Sequence, residues 1–167
     1  MGMIGIVARI SEVTLKSFLA DSTKLADFID SEIFFEDETT LDLEKNWEGI
    51  HYILSGTSLA NLSSKPTAAA KAFFTLQVID AEQDFGYGPV QYLNNTQVKE
   101  TNLALQKISI ADIDPNKLSQ ALTQNSIYPE CWDEPENIEW LFESFDEFKS
   151  FYAEAAKNNE AVISFIS

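Results

Sequence analysis

The most constraining feature of the sequence is a long run of apolar residues at helical spacing near its end. The run lies between Pro135 and Lys157 and follows acidic residues that can cap a helix. Its apolar members are Ile138, Leu141, Phe142, Phe145, Phe148, Phe151, Tyr152 and Ala155. Because this spacing places large side chains on one side of a helix, the segment predicts a helix over 135–157 that buries an aromatic stripe.

Strands are predicted at both ends of the sequence. Met3–Ile10 is rich in small and β-branched residues, and Ala161–Ile166 follows a break at Asn158 and Asn159. The apolar run Ala72–Ile79 is a third strand candidate. Mostly helical patterns lie between them. The sequence therefore predicts an α+β fold in which the terminal strands share a small sheet, packed by several amphipathic helices.

Capping signals predict further helices. Asp114–Pro115 is a typical helix start, with an acidic cap and a proline in the first turn. A second helix is predicted from Thr40 or Asp42 to about Leu54, with Gly56 ending it. No repeat or linker interrupts these elements. With 167 residues, the chain is expected to form one compact domain over 1–167.

Several classes of protein are excluded by composition. No apolar run approaches the roughly 18 residues of a membrane-spanning helix, and no secretory signal is recognisable. A single cysteine allows no internal disulfide, which favours a cytoplasmic location. One histidine and one cysteine cannot supply a zinc site of those ligands, and no nucleotide-binding motif is present. We therefore expect neither a metal nor a cofactor, although the 27 acidic residues leave a carboxylate Mg²⁺ site or a two-carboxylate glycosidase open.

Charge is distributed unevenly along the sequence. The chain has 27 acidic and 11 basic side chains and a formal net charge of −16. Residues 118–148 include eight acidic residues and no lysine or arginine. Within them, Glu136, Glu139, Glu143 and Glu147 recur at the spacing of one helical stripe. This charge opposes binding to nucleic acid or to an anionic membrane surface, so neither is expected as a partner.

The acidic stripe has two interpretations that the sequence leaves open. It can be a solvated face that keeps the protein soluble, or a docking surface for a basic protein such as a toxin or a nucleic-acid-binding protein. We predict the second, which makes the chain a non-enzymatic protein-binding domain, in its most specific form an immunity or inhibitor protein. The predicted contact residues are Asp37, Glu38, Asp133, Glu134, Glu136, Glu139, Glu143 and Glu147.

Few residues offer catalytic chemistry. His51 lies one helical turn after Trp47, at the border of a predicted buried face, with Glu48 and Ser55 within reach. A lone histidine needs positioned partners for acid–base work, so a structural and a catalytic role both stay open. Cys131 lies among acidic residues, which disfavour the thiolate that a nucleophile needs. The sequence therefore predicts no catalytic residue.

Four ordered motifs resemble a known family. They are MGMIG at 1–5, LDLEKNWEGIHYILSG at 41–56, FGYGPVQYL at 85–93 and IYPECW at 127–132. Together they resemble the YfbM-like family of bacterial domains of unknown function, and the resemblance extends over essentially the whole chain. It implies a bacterial protein with a compact α+β domain. It brings no catalytic residue with it, and the stretch 57–84 departs most from the family pattern.

The resemblance also marks where a shared site would lie. The marked positions are Trp47, His51, Tyr87, Tyr92, Tyr128, Pro129 and Trp132. As an alternative function we predict a small-molecule-binding domain or an enzyme. Its pocket would bring Trp47 and His51 of one helix together with Tyr87 and Tyr128 of two loops. The same side chains can instead form the core and the loop packing over it, and this is the interpretation we favour because aromatic residues dominate protein cores.

Overall fold

A four-stranded antiparallel sheet organises the fold. The computed structural model describes residues 2–167, with strands Gly5–Ile10 (β1), Thr40–Asp42 (β2), Gln91–Leu93 (β3) and Ala161–Ile166 (β4), in the order β2-β1-β4-β3. β1 and β4 pair over their full length, from Gly5 opposite Ile166 to Ile10 opposite Ala161. The first and last strands therefore form the centre of the sheet, and the predicted α+β class is confirmed.

Six α-helices lie within residues 2–167. They are Glu12–Ala20 (α1), Thr23–Ile29 (α2), Trp47–Ser55 (α3), Asn95–Leu105 (α4), Pro115–Gln124 (α5) and Pro135–Lys157 (α6). The side chain of Asp114 accepts hydrogen bonds from the first amides of α5, as its position before Pro115 predicts. The bounds of α6 are those predicted. No helix within residues 2–167 combines the length and apolar character needed to cross a membrane.

The sheet separates two apolar cores. On one side, Ile6 and Ile163 pack with residues of α1 and α2 such as Phe18. On the other, Val7 and Val162 contact the larger core, which holds the aromatic stripe of α6. Successive strand residues alternate between these cores, as the pleat of a strand requires. All six residues of β4 are consequently buried.

α3 and α6 approach each other closely at Gly49. A Cβ atom at this position would lie 2.9 Å from Leu141 Cδ1 and 3.0 Å from Trp132 Cη2. Just before α3, Asn46 Nδ2 donates a buried hydrogen bond to Ser144 Oγ at 2.7 Å. The absence of a side chain at residue 49 thus lets α6 fix the position of α3.

The strand predicted at Ala72–Ile79 is wrong. Residues 70–72 form a short 3₁₀ turn, and within this stretch a single β-bridge joins Val78 to Gln91. The Gln91 side chain replaces a neighbouring strand, because its Oε1 accepts hydrogen bonds from the amides of Thr75 and Leu76 at 2.7 and 3.1 Å. Phe73 and Phe74 are thus buried by an irregular backbone, whereas Leu76 and Val78 are 51% and 39% exposed.

The predicted start of α3 is also wrong. Thr40 and Asp42 belong to β2, where they lie opposite Ala8 and Ile6 of β1, and the helix begins only at Trp47. The predicted end is confirmed, since Gly56 follows the helix in a left-handed conformation with φ +70°.

Candidate functional site

The exposed side of α6 carries the acidic stripe. Glu136, Glu139, Glu143 and Glu147 are all exposed, and Asp146 is an exposed carboxylate between the last two. At 1.5 Å per residue, the stripe extends about 17 Å along the helix. Within residues 2–167, none of these carboxylates forms an ion pair with lysine or arginine. Their charge therefore faces solvent without a direct counter-charge.

Asp133 and Glu134 extend this charge beyond the start of the helix. Both side chains are exposed. Carboxylates near a helix start interact favourably with the helix dipole, and Glu136 lies in the first turn. This effect fades after the first turn, so it does not reach Glu143 in the middle of the stripe. The middle of the stripe therefore keeps the repulsion between its like charges.

A groove of about 370 Å³ lies between the beginnings of α5 and α6. Its lining residues are Pro115, Asn116, Ser119, Asp133, Pro135, Ile138, Glu139 and Phe142. Ser119 Oγ donates to the carbonyl oxygen of Trp132 at 2.6 Å, which ties α5 to the loop before α6. Asp133 and Glu139 belong to both the groove and the acidic surface. The two features are therefore continuous.

Asp37 and Glu38 lie in a different environment. Glu38 and Glu147 line one cleft with Arg9, whose guanidinium donates to the carbonyl oxygen of Glu38 at 3.4 Å. Hydrogen bonds from Thr39 lower the pKa of Asp37, and the charge of Arg9 lowers it further. Arg9 forms its ion pair with Glu160 at 3.3 Å, so its charge is shared among several carboxylates at this end of α6. The two predicted rim residues and Glu147 therefore lie closer to a cation than the rest of the stripe.

Trp47 and His51 project from α3 into a packed aromatic cluster. The Trp47 ring stacks on Tyr128 and on Phe73, with centroid distances of 5.6 and 6.0 Å. Phe74 meets the edges of both Trp47 and His51, at 6.0 and 4.8 Å. The structure therefore brings three of the predicted pocket residues together, but Phe73 and Phe74 fill the space around them.

Tyr87 lies at the edge of this cluster. Its side chain is 57% exposed and lines a second cleft of about 370 Å³ together with Phe73, Phe74 and Leu59. Phe74 both lines this cleft and contacts His51. It is therefore the link between the exposed tyrosine and the buried histidine.

The remaining two predicted pocket residues lie elsewhere. Tyr92 is opposite Ile163 in the sheet and packs against the smaller core beneath α1 and α2. Trp132 is buried against Gly49, and its Nε1 donates to the carbonyl oxygen of Ile127 at 2.8 Å. Neither side chain lines the cleft of Tyr87.

His51 is a buried, neutral histidine that is 2% exposed. Its Nε2 lies 3.1 Å from Ser55 Oγ, while its Nδ1 has no hydrogen-bond partner among residues 2–167. Burial lowers the pKa of His51 to about 4. A serine–histidine pair needs a third group on the second ring nitrogen to act as a nucleophilic triad. Ser55 Oγ also donates to the His51 carbonyl at 2.8 Å, an arrangement that suits local structure.

The carboxylate of Glu48 accepts hydrogen bonds from two loops. Its Oε1 accepts from the amide of Leu59 at 2.6 Å, and its Oε2 accepts from the amide of Tyr128 at 2.8 Å. The side chain is buried, so these bonds replace its lost hydration. Glu48 therefore positions the two loops beside α3 and does not orient His51.

Cys131 is half-buried beside the acidic surface. Burial raises the pKa of its thiol, and the neighbouring charge of Asp133 raises it further. The thiol is therefore held in its unreactive, protonated form. Across residues 2–167, no three side chains of His, Cys, Asp or Glu converge in a way that could hold a metal ion.

Comparison with protein families identifies the domain. The model of DUF1877, a domain of unknown function, matches residues 1–165. The chain belongs to the DUF1877 family. The crystal structure of YfbM, a protein of unknown function from Escherichia coli, is similar to it, with 20% sequence identity and a TM-score of 0.67 over 98% of this chain and 99% of that chain. At this identity the likeness shows the fold alone. Comparison with curated proteins found no match.

The family match confirms the resemblance to YfbM-like domains. Because the DUF1877 match runs from 1 to 165, both the acidic surface and the aromatic cluster lie inside the family domain. Sequence reasoning missed two parts of these sites. The sequence predicts a strand for Phe73 and Phe74, and its residue spacing alone does not predict the groove beside α6. The sequence feature that could have indicated this groove is the pair of helix starts in which an acidic residue precedes proline, Asp114–Pro115 and Glu134–Pro135.

Proposed function

We propose that this DUF1877 domain is a non-enzymatic binding domain whose acidic α6 surface docks a basic protein. The observation that carries the proposal is the exposed stripe from Glu136 to Glu147, which has no ion-pair partner within residues 2–167. The contact residues are Glu136, Glu139, Glu143 and Glu147, with Asp133 and Glu134 before the helix and Asp37 and Glu38 at the far rim.

The charge of α6 is polarised along the helix, which supports this role. Both lysines of the helix, Lys149 and Lys157, follow Phe148, while its first half carries only acidic charges. Lys149 Nζ donates to the carbonyl oxygen of Ile108 at 2.6 Å, and Lys157 pairs with Glu154 at 3.4 Å. Like charges one turn apart destabilise a helix by about 0.2–0.5 kcal/mol per pair. A basic partner bound to this surface would relieve the repulsion between its glutamates.

The charge also suggests the kind of partner. A charged surface attracts partners of opposite charge, which accelerates encounter, and repels partners of like charge. Both effects weaken as salt screens the charges. Proteins that bind nucleic acid present lysine and arginine for the phosphates. An acidic domain that covers such a surface would act as an inhibitor, and an immunity protein against a nuclease toxin is the most specific form of the proposal.

Salt-dependent capture tests the proposed function. The tagged protein is immobilised, a lysate of the source organism is applied at low salt, and retained proteins are eluted with increasing salt and identified. The test variant replaces Glu136, Glu139 and Glu143 with glutamine. The control variant replaces Glu32, Glu82 and Glu100 with glutamine as well. These three residues are exposed elsewhere on the molecule, and both variants have the same net charge.

The two variants separate a specific surface from bulk charge. We expect a basic protein to be retained by the wild type and by the control, and to be released at clearly lower salt from the test variant. Equal retention by the two variants would show that the α6 stripe is only a solvated face.

A second candidate function rests on the cleft of Tyr87. An apolar cleft of about 370 Å³ with an exposed tyrosine at its edge has the size and lining of a small-molecule site. A ligand in this cleft would raise the melting temperature of the wild type. Replacing Tyr87 with alanine should remove the shift without unfolding the protein, and a shift that persists in this variant would place the ligand elsewhere.

A further inference from the structure

We infer that the groove between α5 and α6 receives a large apolar side chain from the same basic segment of the partner that the acidic surface binds. The inference rests on the proposed function and adds the chemistry of the contact. Lysine or arginine side chains would face the glutamates of the stripe, and an apolar anchor beside them would enter the groove.

The groove has an apolar floor and fixed walls. Ile138 is buried in the floor, Phe142 is half-buried beside it, and the rings of Pro115 and Pro135 stand at the two helix starts. Proline rings have little conformational freedom, so this wall is already ordered before a ligand arrives. The volume of about 370 Å³ lies within the range of about 300–1,000 Å³ that is typical of ligand-binding pockets.

The acidic border of the groove specifies the flanks of the anchor. Asp133 and Glu139 line the groove itself, and Glu136 and Glu143 lie one turn before and after Glu139 on the exposed side of α6. Lys117, which is exposed on α5, is the single cation between residues 112 and 148. An uncharged or acidic ligand would displace water from these carboxylates and offer nothing in its place. A basic segment instead supplies hydrogen-bond donors and opposite charge.

A separate cleft beside α2, distinct from the cleft of Tyr87, provides a matched comparison. It is larger, about 680 Å³, and also combines an aromatic side chain with carboxylates, since Phe35, Asp30 and Glu32 line it. Phe35 is 56% exposed. No residue of α6 contributes to its lining, so it is separate from the acidic stripe. Among the phenylalanines that line this cleft, the exposed Phe35 therefore serves as a control for Phe142 of the groove.

Selection from a library of random peptides displayed on phage tests the inference. The full chain is immobilised, retained peptides are sequenced, and the enriched ones are synthesised and titrated against purified variants by fluorescence anisotropy. Phe142→Ser removes one apolar wall of the groove. Asn116→Trp fills the groove from an exposed position without altering the core. Phe35→Ser is the matched control in the other cleft, and circular dichroism verifies that each variant is folded.

We expect the enriched peptides to carry a large apolar residue close to lysine or arginine. They should bind the Phe35→Ser control like the wild type and bind Phe142→Ser and Asn116→Trp at least about tenfold more weakly, as the loss of a buried anchor requires. Basic peptides whose affinity is unchanged in both groove variants but falls when Glu136, Glu139 and Glu143 become glutamine would overturn the groove and leave the proposed function standing. Peptides insensitive to both sets of substitutions would overturn both.

Discussion

The carboxylate of Glu48 accepts a hydrogen bond from the amide of Tyr128 at 2.8 Å, across 80 residues of sequence. Its second oxygen accepts from the amide of Leu59 at 2.6 Å. One buried side chain of α3 therefore ties two loops to the helix. This contact also holds the Tyr128 ring where it stacks on Trp47 at 5.6 Å.

Replacing Glu48 with glutamine should lower the free energy of unfolding by about 1–3 kcal/mol. Glutamine keeps one acceptor oxygen but presents an NH₂ group to the second amide, which leaves a buried donor unsatisfied. Urea denaturation measures the change. Glu100→Gln, on an exposed turn of α4, is the control and should change stability by less than about 0.5 kcal/mol. Equal effects of the two substitutions would contradict the structural role of Glu48.

The buried histidine should make stability depend on pH between about 4 and 6.5. The pKa of His51 is about 4 in the folded protein and 6.5 in its ordinary state. Below pH 6.5 the unfolded chain binds a proton that the folded chain does not, so stability falls as pH falls through this window. Between pH 7 and pH 5 the loss is about 2 kcal/mol.

Two measurements check this dependence. The protein has one histidine, so a proton NMR titration of its single imidazole reports the folded pKa directly. Urea denaturation at pH 7 and pH 5 should show the loss in the wild type and a much smaller one in His51→Gln. Carboxylates whose pKa is lowered, such as Asp84, lose their stabilising effect mainly below pH 5, so the comparison of pH 7 with pH 5 reports chiefly on His51. An imidazole that titrates near 6.5 would show that His51 is not buried as described.

Gly49→Ala should destabilise the protein although alanine favours helices. The helix propensity gain is about 1 kcal/mol. Against it, the new Cβ would lie 2.9 Å from Leu141 Cδ1 and 3.0 Å from Trp132 Cη2, and overpacking of a core costs about 1–3 kcal/mol. We expect a net loss of about 1 kcal/mol and a lower melting temperature. A variant more stable than the wild type would show that α3 and α6 can separate without penalty.

Glu143→Gln should raise stability at low salt. The substitution removes repulsion from Glu139 and Glu147, each one turn away, which amounts to about 0.5 kcal/mol in total. The gain should disappear in concentrated salt, because the charges are exposed and therefore screened. Glu154→Gln is the control on the same helix. Because Glu154 pairs with Lys157, its loss should be neutral or slightly destabilising, and the same sign for both variants would contradict the uncompensated stripe.

Long periodic patterns explain why much of the fold was predictable. The spacing from Ile138 to Ala155 repeats over several turns, so no other structure buries all these residues on one side. Short apolar runs carry less information. The run at Ala72–Ile79 can be buried by a strand or by an irregular segment, and the choice depends on Gln91, whose side chain binds the amides of Thr75 and Leu76. No local pattern around the run indicates that contact.

The candidate site shows the same division. The stripe on α6 follows from residue spacing alone, because one helix carries all its central members. The aromatic cluster does not, because the ring of Phe74 and the amide of Tyr128 reach α3 from distant parts of the chain. The groove beside α6 depends on how closely α5 packs against it. Such contacts join segments that are distant in the sequence, so no local pattern within one segment predicts them.

Amide chemical-shift mapping tests the docking surface most directly. The isotopically labelled protein is titrated with the basic protein retained in the capture experiment, at low and at high salt. The docking proposal predicts shifts concentrated in residues 133–147, at the start of α5 and at the rim residues Asp37 and Glu38. These shifts should weaken as salt increases. Shifts confined to the cleft of Tyr87 or to the cleft of Phe35 would contradict it and would move the binding site away from α6.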